Sequence, residues 1–241
     1  MCGRFALYRS SQALQDHFGA TLDGAQIAPR YNLAPRTTIP AVRVGADGTR
    51  RFVWLHWGLI PSWAKDRGIS QHTINARAET VAEKPSYRTA FRRSRCLIPA
   101  DGFYEWQSTP SGKQPWFFTR RDGQPLALAG LWERWIDPAG GEPVESTTII
   151  VTQANDVVRP IHDRMPVILS PTDYACWLDP RMTRSEPLQA LLVPAAPGML
   201  TAYPVGRRVN RVREDDAALI EPLTMDDPGA DNHDPLQRRL W

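Results

Sequence analysis

The sequence predicts an α+β protein: a curved or barrel-like, mainly antiparallel sheet core with short helices inserted between its strands. Three observations predict it. β-like runs dominate the chain, Gly-containing turn signals separate successive runs at hairpin spacing, and the helical segments are short.

Taken in order, residues 11–19 read as a short helix, with Leu14 and Phe18 four apart and Gly19 as its stop. A polar, proline-bearing loop follows to about Thr38. Ile39–Val44 and Arg51–His56 then flank Gly45-Ala46-Asp47-Gly48, whose Asp-Gly step signals a hairpin. A loop from Gly58 to Thr73 carries Pro61 and Trp63. Residues 76–93 read as helical in two pieces broken at Pro85. Strands are expected at 95–99, 102–108, 115–120, 126–135 and 146–152, with turns at Ser111-Gly112 and Asp122-Gly123. Short helices near 171–178 and 185–192 close the pattern. There is no internal repeat, no low-complexity block and no Gly-rich phosphate loop.

A chain of 241 residues can bury a substantial core and demands no more than one domain. That domain is expected over residues 1–225, followed by a polar, flexible tail at 226–241. No apolar run approaches the roughly 20 residues of a membrane span, and the start lacks a signal-peptide apolar region. A cytoplasmic monomer is the expectation. Cys2, Cys96 and Cys176 are odd in number and lack C-x-x-C spacing, which points to neither a disulfide framework nor a zinc site. No metal or cofactor is expected. The net charge is only +3, but of 29 basic residues just Lys65, Lys84 and Lys113 are lysine. Arginine binds phosphate bidentately and stacks on bases; a genome rich in G and C produces the same bias.

Polar clusters embedded in apolar or turn-forming sequence supply the candidate chemistry. Cys2 follows the initiator methionine, and methionine excision would leave an amine and a thiol on adjacent carbons. Such a pair closes a thiazolidine on an aldehyde, or the thiol attacks a carbonyl with its own amine as base. In Thr73–Glu79, Asn75 either caps a following helix or lends its amide to a substrate oxygen. Glu105, between Tyr104 and Trp106, either faces solvent by alternation or is a desolvated carboxyl of raised pKa, suited to general acid work. His162 lies beside Asp163 and Arg164 in a turn closed by Pro166, neighbours able to set its tautomer and charge. Trp63, in its loop, is the candidate for stacking on an unpaired base. Arg88, Arg92 and Arg95 fall on one helical face, a solvated face or a phosphate strip.

Met1–Phe5, Arg30–Pro35, Trp57–Pro61, Asn75–Thr80, Cys96–Trp106 and His162–Pro166 together resemble, in order, the SRAP family of SOS-response-associated peptidases. Its vertebrate member is known as an embryonic-stem-cell-specific 5-hydroxymethylcytosine-binding protein. The resemblance runs from residue 1 to about Pro222 and implies a single SRAP domain. It implies a partner, single-stranded DNA containing abasic sites, and a covalent thiazolidine crosslink that shields the lesion. By motif, Cys2 becomes the crosslinking residue, Asn75 the amide that holds it, and Glu105 and His162 the proton-transfer groups. Arg4, Arg77 and Arg164 become DNA contacts, with Trp63 added as the stacking candidate. The family name records an older reading as cysteine peptidases acting on their own N-terminus.

An abasic deoxyribose is mostly a closed hemiacetal, so opening it needs groups that deliver and remove protons. Arg4 is expected to lower the pKa of both the amine and the thiol of Cys2. Two other functions fit the residues: an N-terminal-nucleophile or Cys-His hydrolase with Cys2 as nucleophile and His162 as base, and a non-covalent reader of modified bases.

Overall fold

The computed structural model describes residues 2–24 and 26–223. The expected tail at 226–241 and Met1 lie outside the described residues. The strands are β1 (Phe5–Leu7), β2 (Arg30–Leu33), β3 (Thr38–Val44), β4 (Arg50–Trp57), β5 (Asn75–Arg77), β6 (Arg95–Ala100), β7 (Gly102–Thr109), β8 (Gly112–Arg120), β9 (Leu126–Trp135), β10 (Val144–Gln153), β11 (Arg164–Pro166) and β12 (Leu200–Pro204). The α-helices are α1 (Ser11–Phe18), α2 (Arg88–Arg93), α3 (Tyr174–Leu178) and α4 (Ser185–Gln189).

The expected barrel is present. β10 pairs in parallel with β4, β4 pairs with β3, β3 with β6, β6 with β9, and β9 returns to β10, the last four antiparallel. The ring of pairings leaves no open edge to be covered. β5 and β11 extend it along the far end of β10, at Ile149↔Asn75 and Val151↔Pro166. A second sheet runs in the order β12-β8-β7-β1-β2. The Phe5 ring lies 5.3 Å from that of Trp57, so β1 of the second sheet packs onto β4 of the barrel.

Local sequence explains the longer elements. Ser10 caps α1 by accepting the Ala13 N–H, and Gly19 ends the helix at φ 57°, a left-handed position that suits glycine. β6 (RCLIPA) is buried at every position, the uniform pattern of a strand covered on both faces rather than an alternating one. Gly58 turns the chain out of β4 at φ 135°, and a Cβ there would stand 2.5 Å from the Ser70 carbonyl oxygen.

Three expectations are corrected. Residues 76–87 are not helical: Asn75–Arg77 is a strand, turns follow, and only Arg88–Arg93 coils. The reason is that β10 satisfies this backbone, with the Ala78 N–H continuing the ladder to the Val151 carbonyl. Asn75 therefore caps no helix. Arg95 belongs to β6 and is only 3% exposed, so the expected strip of Arg88, Arg92 and Arg95 loses its third member. The Arg95 guanidinium instead donates to the carbonyls of Phe91, Trp177, Asp179 and Met182, tying α2 and α3 to the barrel.

Candidate functional site

β1 places the cysteine. Its pairing with β7 aligns Phe5 with Phe103 and Ala6 with Gly102, and the Tyr104 N–H donates to the Arg4 carbonyl at 2.9 Å. Continued toward the N-terminus, this register sets Gly3 across from Glu105, and the Glu105 charge reaches the neighbouring Cys2 thiol. Cys2 is fully buried and unpaired to any other cysteine. Burial pushes its thiol pKa well up, the Glu105 charge pushes the same way, and the Arg4 backbone amide opposes them. The expectation that the Arg4 guanidinium lowers the thiol pKa is thereby overturned: the thiol is raised by burial, and Arg4 acts on it through its backbone amide.

Alternation along β1 explains where that guanidinium goes. Phe5 and Phe103 share one face and Arg4 and Tyr104 the other. Arg4 Nη1 donates to Asn32 Oδ1 at 2.6 Å and to the Val209 carbonyl at 2.8 Å, and its guanidinium lies 5.8 Å from the Trp106 ring centre. Its Nε is buried without a partner. Asn32 itself donates to Val209, Arg211 and Glu214, so Arg4 clamps the start of the chain onto its C-terminal segment.

Glu105 does not face solvent. It is 2% exposed, and burial raises its carboxyl pKa from 4.5 to about 7, with Asp163 acting in the same direction and Lys113 against it. His162 Nε2 stands 3.9 Å from Glu105 Oε2. His162 Nδ1 stands 3.0 Å from the Arg164 backbone N–H, 3.1 Å from Asp163 Oδ1 and 3.3 Å from the Arg164 carbonyl, so this nitrogen is held by a donor and by acceptors while Nε2 faces Glu105. Burial also holds the imidazole below its ordinary pKa, against the upward pull of Asp163. Near neutral pH the pair thus combines a half-protonated carboxyl with a neutral imidazole, an arrangement able to give and take protons at one point.

β10 pairs with the strands that carry Asn75 and Arg164. Asn75 pairs with Ile149, its Nδ2 donates to the Ile149 carbonyl at 3.4 Å, and its Oδ1 is buried without a partner. The Tyr87 hydroxyl donates to the Asn75 carbonyl, and the Trp57 indole donates to that of Ile74 just before it. Phe5 packs on that same indole, which links the cysteine-bearing strand to the asparagine-bearing one. Further along, Gln153 pairs with Arg164, whose Nη1 donates to Glu79. Arg77 is exposed, and its charge also acts on Glu79. Trp63 is 58% exposed on a turn held by the Trp135 indole bond to the Ala64 carbonyl.

Sequence reading missed several supports. Asn32 and Tyr87 lie in or beside apolar motifs and carry no signal of their own, and Lys113 is a plain turn-flanking lysine. Only pairing of strands β7 and β8 brings its charge near Glu105 and His162. Among the described residues no group of three or more His, Cys, Asp or Glu side chains is arranged to hold a metal ion.

Fold and geometry together describe a mixed α+β barrel protein with a buried cysteine beside a carboxyl–imidazole pair. The family model described as SOS response associated peptidase (SRAP) matches residues 1–212, and the chain belongs to that family. Relatives include the abasic site processing protein YoqW of Bacillus subtilis, 41% identical over 92% of this chain and 99% of that one. The abasic site processing protein HMCES of Gallus gallus is 32% identical over 95% of this chain and 80% of its own length. Among solved structures, a protein from Bacteroides thetaiotaomicron matches with a TM-score of 0.83 at 25% identity, covering 92% of this chain and all (100%) of that one. Another, from Bordetella bronchiseptica, gives a TM-score of 0.72 at 28% identity.

Proposed function

We propose that the protein senses and shields abasic sites in single-stranded DNA, trapping them as a thiazolidine on Cys2. The relatives named as abasic site processing proteins support the lesion as substrate. The observation that carries the chemistry is the buried Glu105 carboxyl, with its pKa near 7, between the Cys2 thiol and His162.

Removal of Met1 frees the α-amine. Glu105 and His162 exchange protons with the sugar oxygens, opening the hemiacetal to its aldehyde. The amine adds to the aldehyde carbon, and loss of water gives an imine. The thiol then adds to the imine carbon; its proton goes to Glu105 and the imine nitrogen takes one up, so the ring closes with no external oxidant or reductant. A thiol of raised pKa suits this order, because it stays protonated until the electrophile is in place. The same raised pKa weighs against a Cys-His hydrolase, which works from a standing thiolate.

In this reading the unpartnered Asn75 Oδ1 and Arg4 Nε are acceptor and donor left for substrate, since buried polar atoms without partners are costly where they serve nothing. Arg77 and Arg164 hold flanking phosphates, and Trp63 stacks on a base. The protein acts as a monomer in the cytoplasm, joining the nucleoid when bound to DNA. A lyase side activity follows from the imine stage, where elimination competes with ring closure.

The test is incubation with an abasic single-stranded oligonucleotide followed by a denaturing gel. A shifted band that survives denaturation is expected for the wild type and is expected to vanish in Cys2→Ala. No band, or the same band from Cys2→Ala, would overturn the reading.

A further inference from the structure

A cationic hollow lies at the His56 end of β4. His56 and Trp57 are consecutive on β4 and so point to opposite faces. Trp57 is fully buried against Phe5, whereas His56 opens into a hollow of about 260 Å³ lined by Arg36, His56, Arg67, Ser70 and Gln71 on its polar side. Its volume is several times the ~30 Å³ a water occupies in the liquid.

The lining holds no carboxylate. Neither Arg36 nor Arg67 makes an ion pair among the described residues; Arg67 instead lies 5.6 Å from the Trp135 ring centre. The contrast with the molecule's other arginine-lined hollow is informative. Arg92, Arg93 and Arg184 line that one, but Glu186 stands among them, 3.9 Å from Arg184. No carboxylate lines the Arg36 hollow; Asp66, next to Arg67 in the chain, accepts the Gly68 N–H at 2.7 Å.

Arg36 is held there by an unusual backbone. It is the only non-glycine among the described residues with positive φ, at 68°, and its N–H donates to the Trp57 carbonyl at 2.8 Å. Left-handed backbone is unfavourable for a side chain of this kind and persists where surrounding structure enforces it. The β4 end that supplies this bond also carries His56, so the strand places both groups. Burial and then the charges of Arg67 and Arg36 depress the His56 pKa, the state of an imidazole facing cations with no anion present.

We propose that Arg36, His56 and Arg67 form a phosphate-binding site distinct from the cysteine site, taking either a backbone phosphate of the bound strand or a free phosphate group. Two guanidinium forks and an imidazole donor, with Ser70 and Gln71 beside them, match the acceptor oxygens of a phosphate. The strand source rests on the DNA-binding reading above; the free-phosphate source does not.

Arg36→Gly with Arg67→Gln tests it, because glycine adopts the left-handed backbone freely and so removes the charge without straining the turn. In the full chain, the His56 ring proton resonances are followed while inorganic phosphate is added. In parallel, affinity for a long single-stranded oligonucleotide is measured across salt concentrations. A saturable His56 shift in the wild type that the double variant lacks supports a free-phosphate site. A loss of affinity of roughly tenfold, with a salt slope shallower by about one unit or more in the double variant, supports a strand phosphate. Gel crosslinking by the double variant at saturating DNA is expected to stay at wild-type level, which separates failure of this site from failure of the Cys2 chemistry. A His56 ring indifferent to phosphate, together with unchanged affinity and slope in a double variant of native circular dichroism, would overturn the proposal.

Discussion

At the residue scale the decisive fact is that one carboxyl is held against its own preference. Moving Glu105 from a pKa of 4.5 to about 7 makes its folded form the stronger proton binder. A raised carboxyl pKa means that folding takes up a proton between those values. The penalty is absent below the unfolded pKa, grows as pH rises through the folded one, and is complete above it. Glu105→Gln is therefore expected to stabilise the protein at pH 8 by on the order of 3 kcal/mol and to leave it unchanged near pH 4, as read by urea unfolding at both. Equal shifts at the two pH values would show that the carboxyl carries no folding penalty. Catalysis should move the opposite way. Wild-type crosslinking slows as pH rises through about 7, and Glu105→Gln is slow throughout with no inflection there, while DNA affinity stays close to wild type. Glu105 and His162 stood out in the sequence because each is polar within apolar or turn-forming surroundings. Their 3.9 Å approach did not, since it is made by β7 and the segment after β10, which share no sequence neighbourhood.

At the scale of elements, legibility followed length. β4, β6, β7, β9 and β10 read to within a residue or two because each spans enough positions to show a pattern and is bounded by turn residues. β1, β2, β5, β11 and β12 are three to five residues long, too short to carry a period, and exist because a neighbour offers hydrogen bonds. β5 is the costly miss: helix cap and substrate amide both stay open for Asn75 until β10 is known to lie alongside it. Arg95 shows the same limit from the other side: the sequence opens a strand on it, yet its spacing also groups it with Arg88 and Arg92, and only the fold decides between the two. It spends its guanidinium on four carbonyls, with the closing turns of α2 and α3 among them. Arg95→Met is expected to destabilise the protein by about 3 kcal/mol through those orphaned acceptors, with Arg92→Ala within about 0.5 kcal/mol of wild type. Thermal unfolding of the two variants decides it, and a DNA salt slope altered by Arg95→Met in folded protein would contradict a purely structural role.

At the scale of the whole molecule, the fold draws both ends of the described chain to one place. Arg4 is clamped by Asn32 and the Val209 carbonyl, and Asn32 is held in turn by Arg211 and Glu214. The residue before this clamp is fixed relative to Glu105 whatever precedes it, so folding and DNA binding should not depend on a free N-terminus. The chemistry should depend on it entirely. When a residue precedes Cys2, the nitrogen is an amide whose lone pair is delocalised into a carbonyl, and neither imine nor thiazolidine forms there. A protein carrying one uncleaved residue before Cys2 is thus expected to bind single-stranded DNA with wild-type affinity yet give no adduct on a denaturing gel. Mass spectrometry of the active protein should show Met1 absent. Its adduct yield should be unaffected by borohydride, because a closed thiazolidine holds no imine to reduce. Cys2→Ala with its methionine removed keeps the amine, so it should form a borohydride-trappable imine and nick the abasic strand by elimination, losing protection rather than all reactivity. A gel-stable adduct formed equally well by the extended protein would rule out the amine's part and leave the buried thiol to act alone.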